Sequence, residues 1–131
     1  MQSGSEQAEQ TNVDDVVDLS VLKSFEEAQS EGEPDLIVEL IDLYLADAPR
    51  QLSVIKDSIL NGDQATLKRA VHTLKGSSAN LGVKALAALC EEIERTDVGE
   101  TFRQPDVIIN RLEQIFARIR SILLTERESR T

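Results

Sequence analysis

The chain has 131 residues, a formal net charge of −10, one cysteine, no tryptophan and only 3% aromatic residues. That length suits a single domain with one core, which Leu, Ile, Val and Ala must fill in place of aromatics. The acidity argues against nucleic acid as a partner, since phosphate binding needs clustered Lys and Arg; a lone cysteine excludes an internal disulfide and fits a reducing compartment.

Residues 1–17 are polar, hold four acids and no cation, and are expected to be disordered, as a linker or an added leader. They lack the basic start and apolar run of a signal peptide, and no stretch approaches the roughly 18–20 apolar residues of a membrane span. A cytoplasmic protein that does not engage membranes is expected.

Asp18 is a plausible N-cap for a short first helix from Leu19 to Gln29, with Leu19, Leu22, Phe25 and Ala28 facing inward. Pro34 is expected in the first turn of the next helix. The helical period is clear at Leu36, Ile37, Leu40, Ile41, Tyr44, Leu45 and Ala48, and it resumes at Leu52, Ile55 and Ile59. One long helix kinked at Pro49 accounts for both runs, because no glycine intervenes. Asn61-Gly62 is a stop signal, and Asp63 can cap the following helix.

That helix carries the only histidine, His72, and ends near Asn80-Leu81-Gly82, with Gly82 suited to a left-handed position. Residues three, four and seven away share the face of His72: Ala65, Lys68, Arg69, Lys75, Gly76 and Ala79. Leu67, Val71, Leu74 and Ser78 fall on the opposite, core-facing side, with Ala70 beside them. From Gln64 to Cys90 there is no acid, so the histidine sits in a basic patch on an acidic chain. A solvated helix face explains that patch as well as a binding surface does. Gly76 is harder to explain, since mid-helix glycine costs roughly 1 kcal/mol relative to alanine. Close approach of a large partner to the ring is a reason to keep it.

A helix from Val83 to Asp97 should follow, with Leu86, Leu89, Cys90 and Ile93 inward; Cys90 reads as a small core residue. Val98-Gly99-Glu100 should break it. Pro105 should open the last helix, whose core face is Ile108, Ile109, Leu112, Ile115, Phe116, Ile119 and Leu123. Thr125 to Thr131 should fray. Four substantial helices with short loops, preceded by a small one, make an all-α, antiparallel up-down four-helix bundle over residues 18–126, with a frayed tail at 127–131.

Converging metal ligands, a Walker-type or dinucleotide glycine loop, and the strand-turn setting of a nucleophilic serine are all absent from the sequence. A complete enzyme with its own nucleotide site is therefore not expected. An exposed imidazole can still act alone, because imidazole with an ordinary pKa near 6.5 is largely neutral at cytoplasmic pH and nucleophilic towards phosphorus. Phosphoryl transfer needs mainly in-line positioning and charge neutralisation. Lys75 could neutralise phosphoryl oxygens, and Lys68 and Arg69 could meet acids on a partner.

The run His72-Thr73-Leu74-Lys75-Gly76-Ser77-Ser78-Ala79-Asn80-Leu81-Gly82 resembles the histidine-containing phosphotransfer (HPt) domain of two-component phosphorelays, whose pattern is H-x-x-K-G-small-small-x-x-apolar-G. The likeness extends, more weakly, over the helices from about Leu19 to Leu124. It implies that His72 accepts a phosphoryl group from the aspartate of a receiver domain and passes it to another. It also implies an orienter for the ring, a Glu or Gln twenty-two residues on, here Glu94. Ala65, Lys68, Arg69, Gly76 and Ala79 would form the receiver-facing surface. No cofactor of the chain's own is implied, since Mg2+ belongs to the receiver, and a monomer is expected. Two other readings stay open. One is the phosphoacceptor domain of a chemotaxis-type or sensor histidine kinase, although the acid that usually follows a sensor kinase histidine is Thr73 here. The other is a helical interaction module in which His72 is incidental.

Overall fold

A computed structural model of the chain describes residues 12–131. All regular structure among them is helical: α1 (Val13–Val16), α2 (Leu19–Ser24), a 3-10 turn (Phe25–Ala28), α3 (Leu36–Asn61), α4 (Gln64–Asn80), α5 (Lys84–Arg95), α6 (Val98–Arg103) and α7 (Pro105–Ser129). The four long helices form a closed square. α4 packs against α3 and α5, and α7 packs against both α3 and α5 on the far side. Their apolar stripes meet in one core that includes Ile37, Ile41, Ile55, Leu74, Leu86, Cys90, Ile119 and Leu123.

The starts and stops are set by local chemistry. Asp35 caps α3 by accepting from the Ile37 and Val38 amides, and Asp63 caps α4 by accepting from Thr66 N at 3.2 Å. Gly62 ends α3 with φ +69°, a left-handed conformation that favours glycine. Pro105 opens α7 at its first position. α3 runs through Pro49 as one helix, as the periodicity implies. Pro34 lies one residue before the Asp35 cap, outside the first turn where the sequence placed it.

Four other expectations are corrected. The leader expected at 1–17 gives way to ordered chain by Asn12, which caps α1, and Val16 and Val17 are buried; residues 1–11 lie outside the described residues. Two valines after a pair of aspartates form too short a run for a helical period to show. The single helix from Leu19 to Gln29 is instead α2 followed by the 3-10 turn, with Ala28 exposed. Val98-Gly99-Glu100 does not simply break the chain, because Asp97 accepts from Gly99 N and starts α6, which buries Thr101. The tail does not fray: α7 continues to Ser129, held by ion pairs of Arg127 with Asp42 and of Arg130 with Glu26, Asp35 and Glu126. Long-range ion pairs of this kind leave no periodic trace in sequence. No described helix is long and apolar enough to cross a membrane.

Candidate functional site

The site begins with how α4 is seated. Leu67, Ala70, Val71, Leu74 and Ser78 are buried, so the opposite face must be open. On that face Ala65, Lys68, Arg69, His72, Gly76 and Ala79 are all exposed, and Lys75 is half-buried. The hydroxyl of Ser78 meets that of Tyr44 at 2.8 Å in the core, which ties α4 to α3 and fixes the roll of α4 about its axis. Burial pushes the Tyr44 phenol far above its ordinary range, so it stays neutral there.

The C-terminal end of α4 is fixed by Gly82. Its φ is +80°, and a Cβ there would lie 2.7 Å from the Asp18 carbonyl and 2.8 Å from the Val21 Cβ. The glycine lets the α2 segment close over this corner, where the Asp18 amide donates to the Gly82 carbonyl at 2.7 Å. Gly76 is the opposite case, because a Cβ on it would meet nothing within 4 Å. Nothing inside the described chain requires that glycine.

His72 has a side chain 74% exposed. Its Nδ1 lies 3.1 Å from Oε2 of Glu94, which projects from α5. A carboxylate accepts but cannot donate, so the Nδ1–H of the ring is the donor. The tautomer that makes this bond leaves the lone pair of Nε2 unprotonated. Glu94 also accepts from Lys75, whose Nζ lies 2.5 Å from Oε1. One carboxylate therefore joins two residues one turn apart on α4. The Lys75 ammonium, and secondarily His72, hold the Glu94 carboxyl below its ordinary range. Glu94 in turn raises Lys75.

The structure thus brings His72, Lys75 and Glu94 together. It places Lys75 on Glu94, a contact that the sequence did not suggest. Lys68 and Arg69 are exposed on the His72 face of α4, and the Thr66 hydrogen bonds, helped by the Arg69 charge, hold the Asp63 carboxyl below its ordinary range. Cys90 lies beneath the site, and burial pushes its thiol up to about 12, which keeps it unreactive. No cluster of three or more His, Cys, Asp or Glu suited to a metal ion occurs among the described residues.

Sequence reasoning missed one part of the surface. On the other flank of α4, the exposed α3 residues Leu43 and Val54 are 67% and 40% accessible. Leu40, Leu43, Tyr44 and the acidic Asp47 of α3, Phe25 of the 3-10 turn, and Ser77, Asn80 and Leu81 line a shallow groove between α3 and α4. Leu43 falls outside the inward period of α3, and that outlier was the available signal.

Known proteins match this arrangement. The family model of the Hpt domain matches residues 39–122, well over half of the chain. The chain is 31% identical over 65 residues to histidine-containing phosphotransfer protein 5 of Arabidopsis thaliana, and 32% identical over 65 residues to protein 2 of the same plant. Those matches cover 47% of this chain and only 41% and 42% of the two relatives. The solved structure of histidine-containing phosphotransfer protein B (HptB) from Pseudomonas aeruginosa PAO1 superposes with a TM-score of 0.74 at 28% identity, covering 87% of this chain and 96% of that one. The matched span runs through both His72 and Glu94, and the chain belongs to the Hpt domain family.

Proposed function

We propose that the chain relays phosphoryl groups between receiver domains, carrying each in turn on Nε2 of His72. The observation that carries this reading is the exposed imidazole whose Nδ1 is held by Glu94, which leaves Nε2 as the nucleophile. In the forward step, the Nε2 lone pair attacks the phosphorus of an aspartyl phosphate in line with the leaving oxygen. The N–P bond forms, the P–O bond to the aspartate breaks, and the aspartate leaves as a carboxylate. The imidazolium formed keeps its Nδ1–H on Glu94, whose negative charge stabilises it. The reverse step hands the group to a second receiver aspartate and restores neutral His72.

Lys75 has two roles in this reading. It holds Glu94 in place by the ion pair at 2.5 Å, and from one turn away it offsets charge on the phosphoryl oxygens. Gly76, Ala65 and Ala79 keep the surface low beside the ring, while Lys68 and Arg69 meet acids around the receiver's aspartate. The Mg2+ that phosphoryl transfer requires belongs to the receiver in this scheme. The chain's part is positioning and proton placement, with no nucleotide site of its own.

The test is transfer from a panel of phosphorylated receiver domains to the wild type and to His72→Gln. Acid-labile label on the wild type and none on the variant supports the relay. Label on both proteins overturns the His72 assignment. Label that appears only with ATP and a chemotaxis-type kinase domain, and never from a receiver, favours a kinase phosphoacceptor domain instead.

A further inference from the structure

The seam between α3 and α7 lies across the bundle from the α4–α5 seam that holds His72 and Glu94. The two helices run antiparallel, and charged side chains meet across them in rungs seven residues apart on each helix. Arg127 pairs with Asp42 at one rung, and Lys56 approaches Glu113 at 3.9 Å two rungs on. At the rung between them α3 presents Pro49 to Arg120. A proline ring carries neither a charge nor a hydrogen-bonding group, so the rung has no acid. Arg120 makes no ion pair or hydrogen bond among the described residues.

The seam is also open at that rung. Pro49, Ser53 and Ala117 face it with short side chains, and a cavity of about 440 Å3 remains between the helices. Its apolar side is formed by Leu52, Ile109, Leu112 and Phe116; Ile109 and Leu112 are buried and Phe116 is half-buried. Small-molecule sites span about 300–1,000 Å3. From the Pro49 rung to the Lys56 rung the cavity runs about 10 Å, at 1.5 Å per residue. That is too short to seat a helix of several turns, and it suits a short aliphatic chain.

The two ends differ in charge. Lys56 and Glu113, both half-exposed, offset each other at one end, whereas the Arg120 guanidinium is unmatched at the other. A guanidinium beside an apolar surface selects a carboxylate with a hydrocarbon tail. The chain's net charge of −10 acts on such a ligand through screening of about 8 Å, while Arg120 lines the cavity itself.

We propose that this cavity is a second ligand site, for an aliphatic carboxylate of medium chain length. The carboxylate accepts from Arg120 at the Pro49 rung, and the tail lies on Leu112 and Phe116 towards Lys56. The site is remote from Nε2 of His72 and does not depend on the phosphotransfer reading.

The test titrates octanoate into the full chain labelled with 15N and follows the backbone amide shifts. Saturable shifts should centre on Ser53, Phe116 and Ala117, with half-saturation on the order of 1 mM. Arg120→Gln should weaken octanoate about 3- to 5-fold. Octan-1-ol keeps the tail and lacks the charge, so it should bind the wild type more weakly than octanoate does and should not distinguish the wild type from Arg120→Gln. Ala117→Leu fills the cavity from an exposed position and should abolish binding while leaving the circular dichroism spectrum unchanged. If that variant fails to fold, Ser53→Leu fills the cavity from the exposed side of α3. Shifts that never saturate or that centre elsewhere, equal octanoate affinity in the wild type and Arg120→Gln, or binding that survives the filling variant overturns the proposal. Concentration-dependent self-association that the filling variant abolishes also overturns it, and gives the seam to a second copy of the chain.

Discussion

Replacing Gly76 with alanine separates what the fold requires from what a partner requires. The position is exposed on the middle turns of α4, and a Cβ there meets nothing within 4 Å. The substitution therefore adds helix propensity with no clash. Alanine is favoured over glycine by about 0.8–1.0 kcal/mol in a helix interior. For a domain of this size, that corresponds to a rise in Tm of about 3–5 °C. The added methyl stands one turn from His72, on the surface a receiver must approach. A misplacement of about 1 Å between reacting atoms costs on the order of 100-fold in rate, so transfer from a phosphorylated receiver should fall by about 10- to 100-fold. Labelling by phosphoramidate should change little. The assays are thermal unfolding by circular dichroism and initial transfer rates on the same samples. A lower Tm would refute the structural half of the reasoning, and wild-type transfer with a raised Tm would refute the functional half. Gly82→Ala is the contrasting case: its φ of +80° and the 2.7 Å approach of the Asp18 carbonyl should lower stability by about 2–4 kcal/mol.

Three other variants and conditions test separate parts of the account. Glu94→Ala removes the acceptor on Nδ1 and should slow transfer from a receiver about 5- to 10-fold, the effect of losing one charge-assisted hydrogen bond at an exposed site; Glu94→Gln, whose carbonyl still accepts, should lose less. Tyr44→Phe strands the Ser78 hydroxyl in the core and should cost about 1–2 kcal/mol in urea unfolding, whereas adding Ser78→Ala should recover part of that cost, because both partners are then apolar. Acid should unfold the protein through its paired carboxylates. Glu94, Glu92 and Asp42 are held below their ordinary values by Lys75, Arg111 and Arg127 respectively, so the native chain binds fewer protons than the unfolded chain. Their contribution is complete above about pH 5 and is lost as pH falls through the lowered values. A urea midpoint that stays level between about pH 5 and pH 3 would contradict this.

The parts of the molecule that repeat were legible in the sequence, and the parts that depend on distant contacts were not. The inward period of α3, α4 and α7, the Asp63 cap, the Gly62 and Gly82 turns and the Pro105 start are local devices, each readable within a few residues. The exposed ring with Lys75 and Gly76 on its face follows from helical spacing alone. The contact of Glu94 with His72 needed a likeness to the family, because three neighbouring glutamates on α5 look alike until their helix is rolled against α4. The engagement of Lys75 by Glu94 could not be read, since it depends on how far apart two helices sit. α1 and α6 were missed because elements of four and six residues hold too little of a period to be seen. The end of α7 was misread as frayed because Arg127 and Arg130 find their acids on the other side of the bundle, between 85 and 104 residues away in the chain.

The most direct test of the central claim is the position of the phosphoryl group on the ring. The protein, uniformly labelled with 15N, is phosphorylated by a receiver, and the imidazole nitrogens of His72 are assigned by NMR through their coupling to 31P. The account predicts phosphorus on Nε2 of His72, with Nδ1 still protonated and bonded to Glu94. Phosphorus on Nδ1, or on any residue other than His72, would contradict it.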